Sequence, residues 1–136
     1  MKAEVRMVKG LSFVAKSDSN HWLALDGPPE FGGAAAASRP LELLLIGLAG
    51  CTGMDVVSIL TKKRAPLEAF RLEAEATRAA EHPKVFTDIK LTYFLRGEGL
   101  KDKDVAEAIR LSRQRYCSAS AMLSKACEIY YDYKIE

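Results

Sequence analysis

Alternating apolar and polar positions dominate both ends of the chain, and one long apolar run separates them. Ala3, Val5 and Met7 alternate with Lys2, Glu4 and Arg6, the period of a half-buried strand. Lys9-Gly10 is a turn signal, and Leu11 to Ala15 reads as the second arm of a hairpin. After a polar turn at Ser17 to Asn20, Trp22 to Leu25 forms a third short strand, stopped by Asp26-Gly27-Pro28-Pro29. Residues 26–37, with Gly32-Gly33 and a run of alanines, read as a mobile loop.

Ser38 to Arg64 predicts a long helix, with Ser38 as N-cap, Pro40 in the first turn and Lys62-Lys63-Arg64 at the C-terminal end of the dipole. About 25 residues at a rise of 1.5 Å span roughly 37 Å, the full width of a domain this size. Leu41, Leu43, Leu44, Leu45, Ile46, Leu48 and Ala49 make its first half apolar on nearly every side. A helix apolar all round must be covered all round, which implies a partner subunit. Gly47, Gly50 and Gly53 cost about 1 kcal/mol each in a helix interior, which suggests close backbone approach beside Cys51.

Alternation resumes at Leu67 to Arg78 and at Val85 to Arg96, two strands that should pair antiparallel. Residues 101–116 have the spacing of an amphipathic helix, with Val105, Ala108, Ile109 and Leu111 inward. A short helix is predicted over Ser118 to Cys127 and a last strand over Glu128 to Glu136. The fold class is α+β, in one domain spanning residues 1–136.

Composition narrows the function classes. With 136 residues, 49% of them hydrophobic and 28% charged, the chain is an ordinary globular one rather than a disordered or low-complexity one. A net charge of +2 gives no field of the kind nucleic-acid binders carry, so no nucleic-acid partner is expected. The start Met1-Lys2-Ala3-Glu4 has no leader pattern. The apolar stretch Leu43 to Ala49 is too short to span a bilayer, so neither secretion nor a membrane partner is expected. Three cysteines are too few for a disulfide scaffold, and a cytoplasmic protein with reduced thiols is the expectation.

Nucleotide-binding glycine loops, zinc-protease motifs and C-x-x-C are absent, and no cofactor is implied. Three cysteines spread along the chain also make no expected metal site. His21 and His82 sit in turn contexts and read as surface residues. Cys51, flanked by Gly50, Thr52 and Gly53, is either a small buried filler or a nucleophilic thiol. Cys117 falls at a helix start, where free N–H groups lower a thiol pKa, with Arg113 and Arg115 nearby in sequence; the alternative is a packed cysteine. Cys127 reads as core. Glu42 is either a favourable charge in the first helical turn or a carboxylate serving a reactive thiol. Nine residues of helix put Glu42 and Cys51 on roughly opposite faces, about 13 Å apart. Cooperation between them would therefore use the Cys51 of another chain or a bent helix.

Ser38-Arg39-Pro40-Leu41-Glu42-Leu43-Leu44-Leu45, followed by Gly50-Cys51-Thr52-Gly53-Met54-Asp55-Val56-Val57, resembles the first cysteine helix of the OsmC/Ohr family. Tyr116-Cys117-Ser118 resembles its second cysteine segment, 66 residues further on. The resemblance implies an OsmC-like fold, with a long buried central helix, an antiparallel sheet and an intertwined homodimer. It further implies a thiol peroxidase that reduces organic hydroperoxides in oxidative-stress defence. Cys51 would be the attacking thiol, Cys117 its disulfide partner, and a dithiol would restore both. Glu42 would match the family's glutamate, which helps hold an arginine beside the thiolate. Arg6 and Arg39 are the only arginines before Cys51; Arg6 is the candidate, with a solvated strand residue as its alternative reading. Two other functions fit the same residues: a non-catalytic dimeric module binding a small apolar ligand, and a thiol redox sensor.

Overall fold

The computed structural model describes residues 1–136 as two compact units, Met1–Leu44 and Leu45–Glu136. In the first unit, β1 (Ala3–Lys9), β2 (Ser12–Ser17) and β3 (Leu23–Leu25) form an antiparallel meander. A sheet of this size has a single layer and buries little by itself; Val5, Met7 and Val8 stay exposed, where the alternation predicted a half-buried strand.

The segment predicted as a mobile loop is instead tied to one side chain. Asp26 is buried and its carboxylate accepts from Ser12 Oγ at 2.9 Å and from the N–H groups of Gly27, Ala34 and Ala36 at 2.7, 3.2 and 3.2 Å. Glycines and alanines supply bare backbone N–H groups that can converge on one carboxylate. A single 3₁₀ turn (Pro29–Phe31) lies inside this segment.

Helix α1 runs Pro40–Lys62. Its N-cap is Arg39 rather than the predicted Ser38. Ser38 pairs with Leu25, and its carbonyl accepts from the Asp26 N–H at 3.2 Å. Glu42 reaches back to accept from the Arg39 N–H at 2.9 Å, the reciprocal half of a capping box.

By length and composition alone, with 23 residues and an 18-residue window of mean hydropathy 2.0, α1 is long and apolar enough to cross a membrane, although the apolar stretch Leu43 to Ala49 within it is only seven residues. Its buried face is that of a core helix. Leu48, Val56 and Leu60 share one cluster with Ile89, Leu91, Tyr93 and Leu95 and with Val105, Ala108 and Ile109. The opposite side is not covered within the chain: Ile46 and Met54 are exposed. Within one chain the helix is buried on one face only, and the expected cover of its other side would have to come from a partner subunit.

In the second unit, β4 (Ala69–Arg78) pairs antiparallel with β5 (Phe86–Arg96), with Ala74 opposite Leu91. Phe70, Leu72, Ala74 and Ala76 turn one way and charged residues the other, as the alternation requires. The last strand, β6 (Glu128–Ile135), pairs with β5 in parallel, so this sheet is mixed rather than antiparallel. A parallel neighbour needs a crossover, here built from α2 (Asp102–Leu111) and α3 (Ser118–Leu123). Between them Ser112–Tyr116 winds as a wider π turn, ending the α-helix five residues before the predicted boundary.

Candidate active site

Two cysteines distant in sequence meet in the second unit. Cys51 projects from the middle of α1, and Cys117 caps the N-terminus of α3. Their sulfurs and a carboxylate oxygen of Asp55 all lie within 4.8 Å of one another. Asp55 follows Cys51 by four residues, so both occupy one face of α1.

The π turn positions the opposing side. The Cys117 N–H donates to the Ser112 carbonyl at 2.9 Å, five residues back. This wide winding is of the kind that recurs at functional sites. It turns the Ser112 side chain inward, fully buried, onto α1. Ser112 Oγ donates to Asp55 Oδ2 at 2.9 Å. Ser112 Oγ also lies 2.9 Å from Thr52 Oγ1, which lies 2.7 Å from the Tyr93 phenol oxygen.

The direction of this chain follows from counting protons. Each hydroxyl has one. A carboxylate only accepts, so Ser112 gives it the serine proton. Thr52 must then donate to Ser112, and Tyr93 to Thr52. Burial pushes the Tyr93 phenol well above its ordinary value, so Tyr93 keeps the proton it donates. The result is a one-way series, Tyr93 to Thr52 to Ser112 to Asp55, ending on the carboxylate beside the two thiols.

Cys117 departs from the sequence expectation. Its sulfur does accept from the Ser120 N–H at 3.3 Å, as a helix start allows. Yet burial, followed by the neighbouring Cys51, outweighs that hydrogen bond, and the thiol is pushed up rather than down. Arg113 and Arg115 do not offset this: their guanidinium groups lie 4.7 Å from the Tyr131 ring and 5.7 Å from the Tyr116 ring. Cys127 packs against the core, as predicted, with burial raising its thiol. His21 and His82 are exposed.

Arg6 and Glu42 belong to the N-terminal unit and each has a local partner. Arg6 pairs with Glu4 and lies 5.6 Å from the Trp22 ring; Glu42 closes the capping box. Of the four residues singled out, the structure brings Cys51 and Cys117 together.

Asp55, Ser112 and Tyr93 were not anticipated as site residues. A carboxylate one turn after Cys51, in the middle of a mainly apolar helix, is the signal for Asp55. Ser112 has none, because its role depends on the π turn. Cys51, Asp55 and Cys117 bring two cysteine sulfurs and one carboxylate together, one donor short of the four that close a structural zinc site, and burial disfavours the thiolate that Cys117 would need as a ligand.

On the exposed side of α1, Ile46, Ala49, Gly50, Met54, Phe70 and Leu72 line an apolar pocket of about 680 Å³, which neither cysteine lines. The close approach expected at three glycines occurs at one. A Cβ on Gly53 would meet the Phe70 ring at 3.1 Å, whereas Gly47 and Gly50 face open space.

Paired thiols on a long α1 and a helical crossover, over a mixed three-stranded sheet, define a dithiol protein of the OsmC-like fold. The OsmC-like protein family model matches residues 32–132. The chain is 38% identical over 135 residues to Protein YhfA of Escherichia coli K12, covering 99% of this chain and 98% of that protein. A hypothetical protein from Aquifex aeolicus superposes with a TM-score of 0.86 at 26% identity, covering 99% of this chain and 95% of the other. An organic hydroperoxide resistance protein OsmC from Legionella pneumophila superposes with a TM-score of 0.70 at 19% identity, covering 98% and 95%. The chain belongs to the OsmC-like family.

Proposed function

We propose that this chain is a cysteine-dependent peroxidase acting on organic hydroperoxides in oxidative-stress defence in the cytoplasm. The observation that carries the reading is the meeting of the Cys51 and Cys117 sulfurs within 4.8 Å of each other. The name of the Legionella relative supports the substrate class. An apolar pocket on the same helix, lined by Met54 and by Gly50, the sequence neighbour of Cys51, suits the organic part of such a substrate better than hydrogen peroxide itself.

The Cys51 thiolate attacks the terminal oxygen of the hydroperoxide. The O–O bond breaks, the alkoxide takes a proton and leaves as an alcohol, and Cys51 becomes a sulfenic acid. Cys117 then displaces the hydroxyl, forming the Cys51–Cys117 disulfide and water. A dithiol reductant restores both thiols by exchange. Arg6 is proposed as the cation that supports the thiolate, and Glu42 as the carboxylate that helps hold that arginine in place. A homodimer is proposed as the working form, with residues 1–136 as one domain of it.

The test is a thiol count. Fully reduced protein is mixed with one equivalent of an organic hydroperoxide and mapped by mass spectrometry. Loss of two thiols within seconds, with a Cys51–Cys117 bridge, is expected. Three thiols still free after minutes in excess peroxide would remove the reading. The open apolar pocket would then favour the second one, a module binding a small apolar ligand.

A further inference from the structure

We propose that Asp55 is the general base of the resolving step, taking the proton from the buried Cys117 thiol so that Cys117 can attack Cys51. The inference rests on the two-cysteine reading above and adds a catalytic residue to it.

Cys117 is 2% exposed, so bulk water does not reach its thiol freely. Its sulfur already accepts a hydrogen bond from Ser120 N–H, which orients a lone pair but removes no proton. The thiol is a weak acid here, because burial raises it, whatever the state of Cys51. Resolution therefore needs a base placed at the sulfur.

The titratable or charged groups around the pair are few. On α1 they are Cys51, Asp55 and, on the outer side of Asp55, Lys62, with Lys63 just past the end of the helix. From the π turn comes Tyr116, from β5 Tyr93, and from β6 Tyr131. Lysines and phenols hold their protons at neutral pH, and Cys51 is the atom under attack. Asp55 is the carboxylate of this set, with an oxygen within 4.8 Å of both sulfurs, close enough to come into contact with Cys117 as it moves to attack.

Its surroundings suit proton transfer. Ser112 fixes Oδ2 at 2.9 Å, and Thr52 and Tyr93 fix Ser112 in turn. No member of that series can take the proton, since each already donates toward the carboxylate. Ser112 is thus a positioning residue. On its other side Asp55 lines a pocket of about 340 Å³ with Ser58, Lys62, Lys63 and Tyr116.

The step balances. The Cys117 S–H proton passes to Asp55, the sulfur pair forms the S–S bond with Cys51, and the Cys51 S–O bond breaks. The leaving hydroxide takes the proton from Asp55 and departs as water, so Asp55 ends as it began.

The step can be isolated from peroxide chemistry. In a Cys127→Ser background, an aromatic disulfide reagent that loads Cys51 with thionitrobenzoate leaves Cys117 to displace the coloured thiolate. Asp55→Asn keeps the shape and the Ser112 hydrogen bond and removes the base. General base catalysis contributes about 10²- to 10⁴-fold, so the second release at pH 7 should slow by at least about tenfold. With Asp55 the rate should stay level across neutral pH. In Asp55→Asn it should climb about tenfold per pH unit, following the Cys117 thiolate fraction. An unchanged rate and unchanged profile, or no second release from the parent protein, would overturn the proposal. If Asp55→Asn does not fold, Ser112→Ala is read the same way, with slowed release expected and an unaltered rate and profile counting against. A parallel peroxide arm separates the two readings: parent protein that resolves the mixed disulfide but ignores hydroperoxide sinks the peroxidase and leaves Asp55 standing.

Discussion

Thr52 on α1 and Tyr93 on β5, 41 residues apart in sequence, are joined by a 2.7 Å hydrogen bond between two fully buried side chains. The proton order makes this pair asymmetric. Tyr93→Phe removes a donor, and Thr52 still donates to Ser112. Thr52→Val keeps the shape but strands the Tyr93 hydroxyl without an acceptor. An unsatisfied buried group costs about 1–3 kcal/mol, against about 0.5–1.5 kcal/mol for a lost hydrogen bond. Urea unfolding should therefore find Thr52→Val the less stable variant. The reverse order would mean that Thr52 donates to Tyr93, and that the series does not run toward Asp55.

Much of this architecture is legible in the chain because it follows short periods. The alternation of Phe70, Leu72, Ala74 and Ala76 gave β4 directly, and that of Ile129, Tyr131 and Tyr133 gave β6. What alternation does not encode is the neighbour's direction, and β6 turned out parallel to β5. The two thiols were visible as residues, and their pairing came through resemblance. The hydroxyl series was not visible, since it joins Thr52, Tyr93 and Ser112 across three elements. Sequence left Cys117 between a lowered thiol and a packed cysteine for a related reason: a helix start is a local feature, whereas burial, which prevails, is decided by the whole core.

The raised Cys117 thiol has three measurable consequences. Alkylation of the reduced protein at pH 8 should label Cys51 well before Cys117, by about tenfold or more. Burial is the first cause of the shift and Cys51 a further one. Cys51→Ser should therefore move the Cys117 titration down toward the ordinary thiol range, read by thiolate absorbance. The stability effect has a definite sign. A folded-state value above the unfolded one, about 8.5, favours the fold fully at lower pH. That contribution declines as pH rises past 8.5 toward the folded value. Reduced protein that gains stability over that range would contradict it.

Asp26 should make the N-terminal unit acid-sensitive. Burial works against its charge, but the hydrogen bonds from Ser12 and from the Ala36, Gly27 and Ala34 N–H groups prevail and hold the carboxyl below its ordinary value. Its contribution is then present above about pH 3.9 and is lost as pH falls through the lower folded value. Asp26→Asn replaces an acceptor oxygen with an amine that faces N–H donors. It should destabilise the unit at neutral pH and flatten the acid limb of its unfolding profile. Amide exchange at Ala34 and Ala36 gives a local reading, with faster exchange expected in the variant.

The exposed side of α1 sets the last test. Ile46 and Met54 are 57% and 77% exposed on a helix that is otherwise apolar. Open apolar patches on this scale mark interaction surfaces, and the proposed occupant is a second copy of the chain. A surface substitution in an isolated chain usually shifts stability by no more than about 0.5 kcal/mol. Ile46→Asp should therefore leave an unpartnered chain folded but place a charge within an apolar interface. Sedimentation at micromolar concentration should show a dimer for the parent and a folded monomer for the variant. If the parent sediments as a monomer, the apolar side of α1 is open in solution, and the pocket lined by Ile46, Met54 and Phe70 belongs to a single chain.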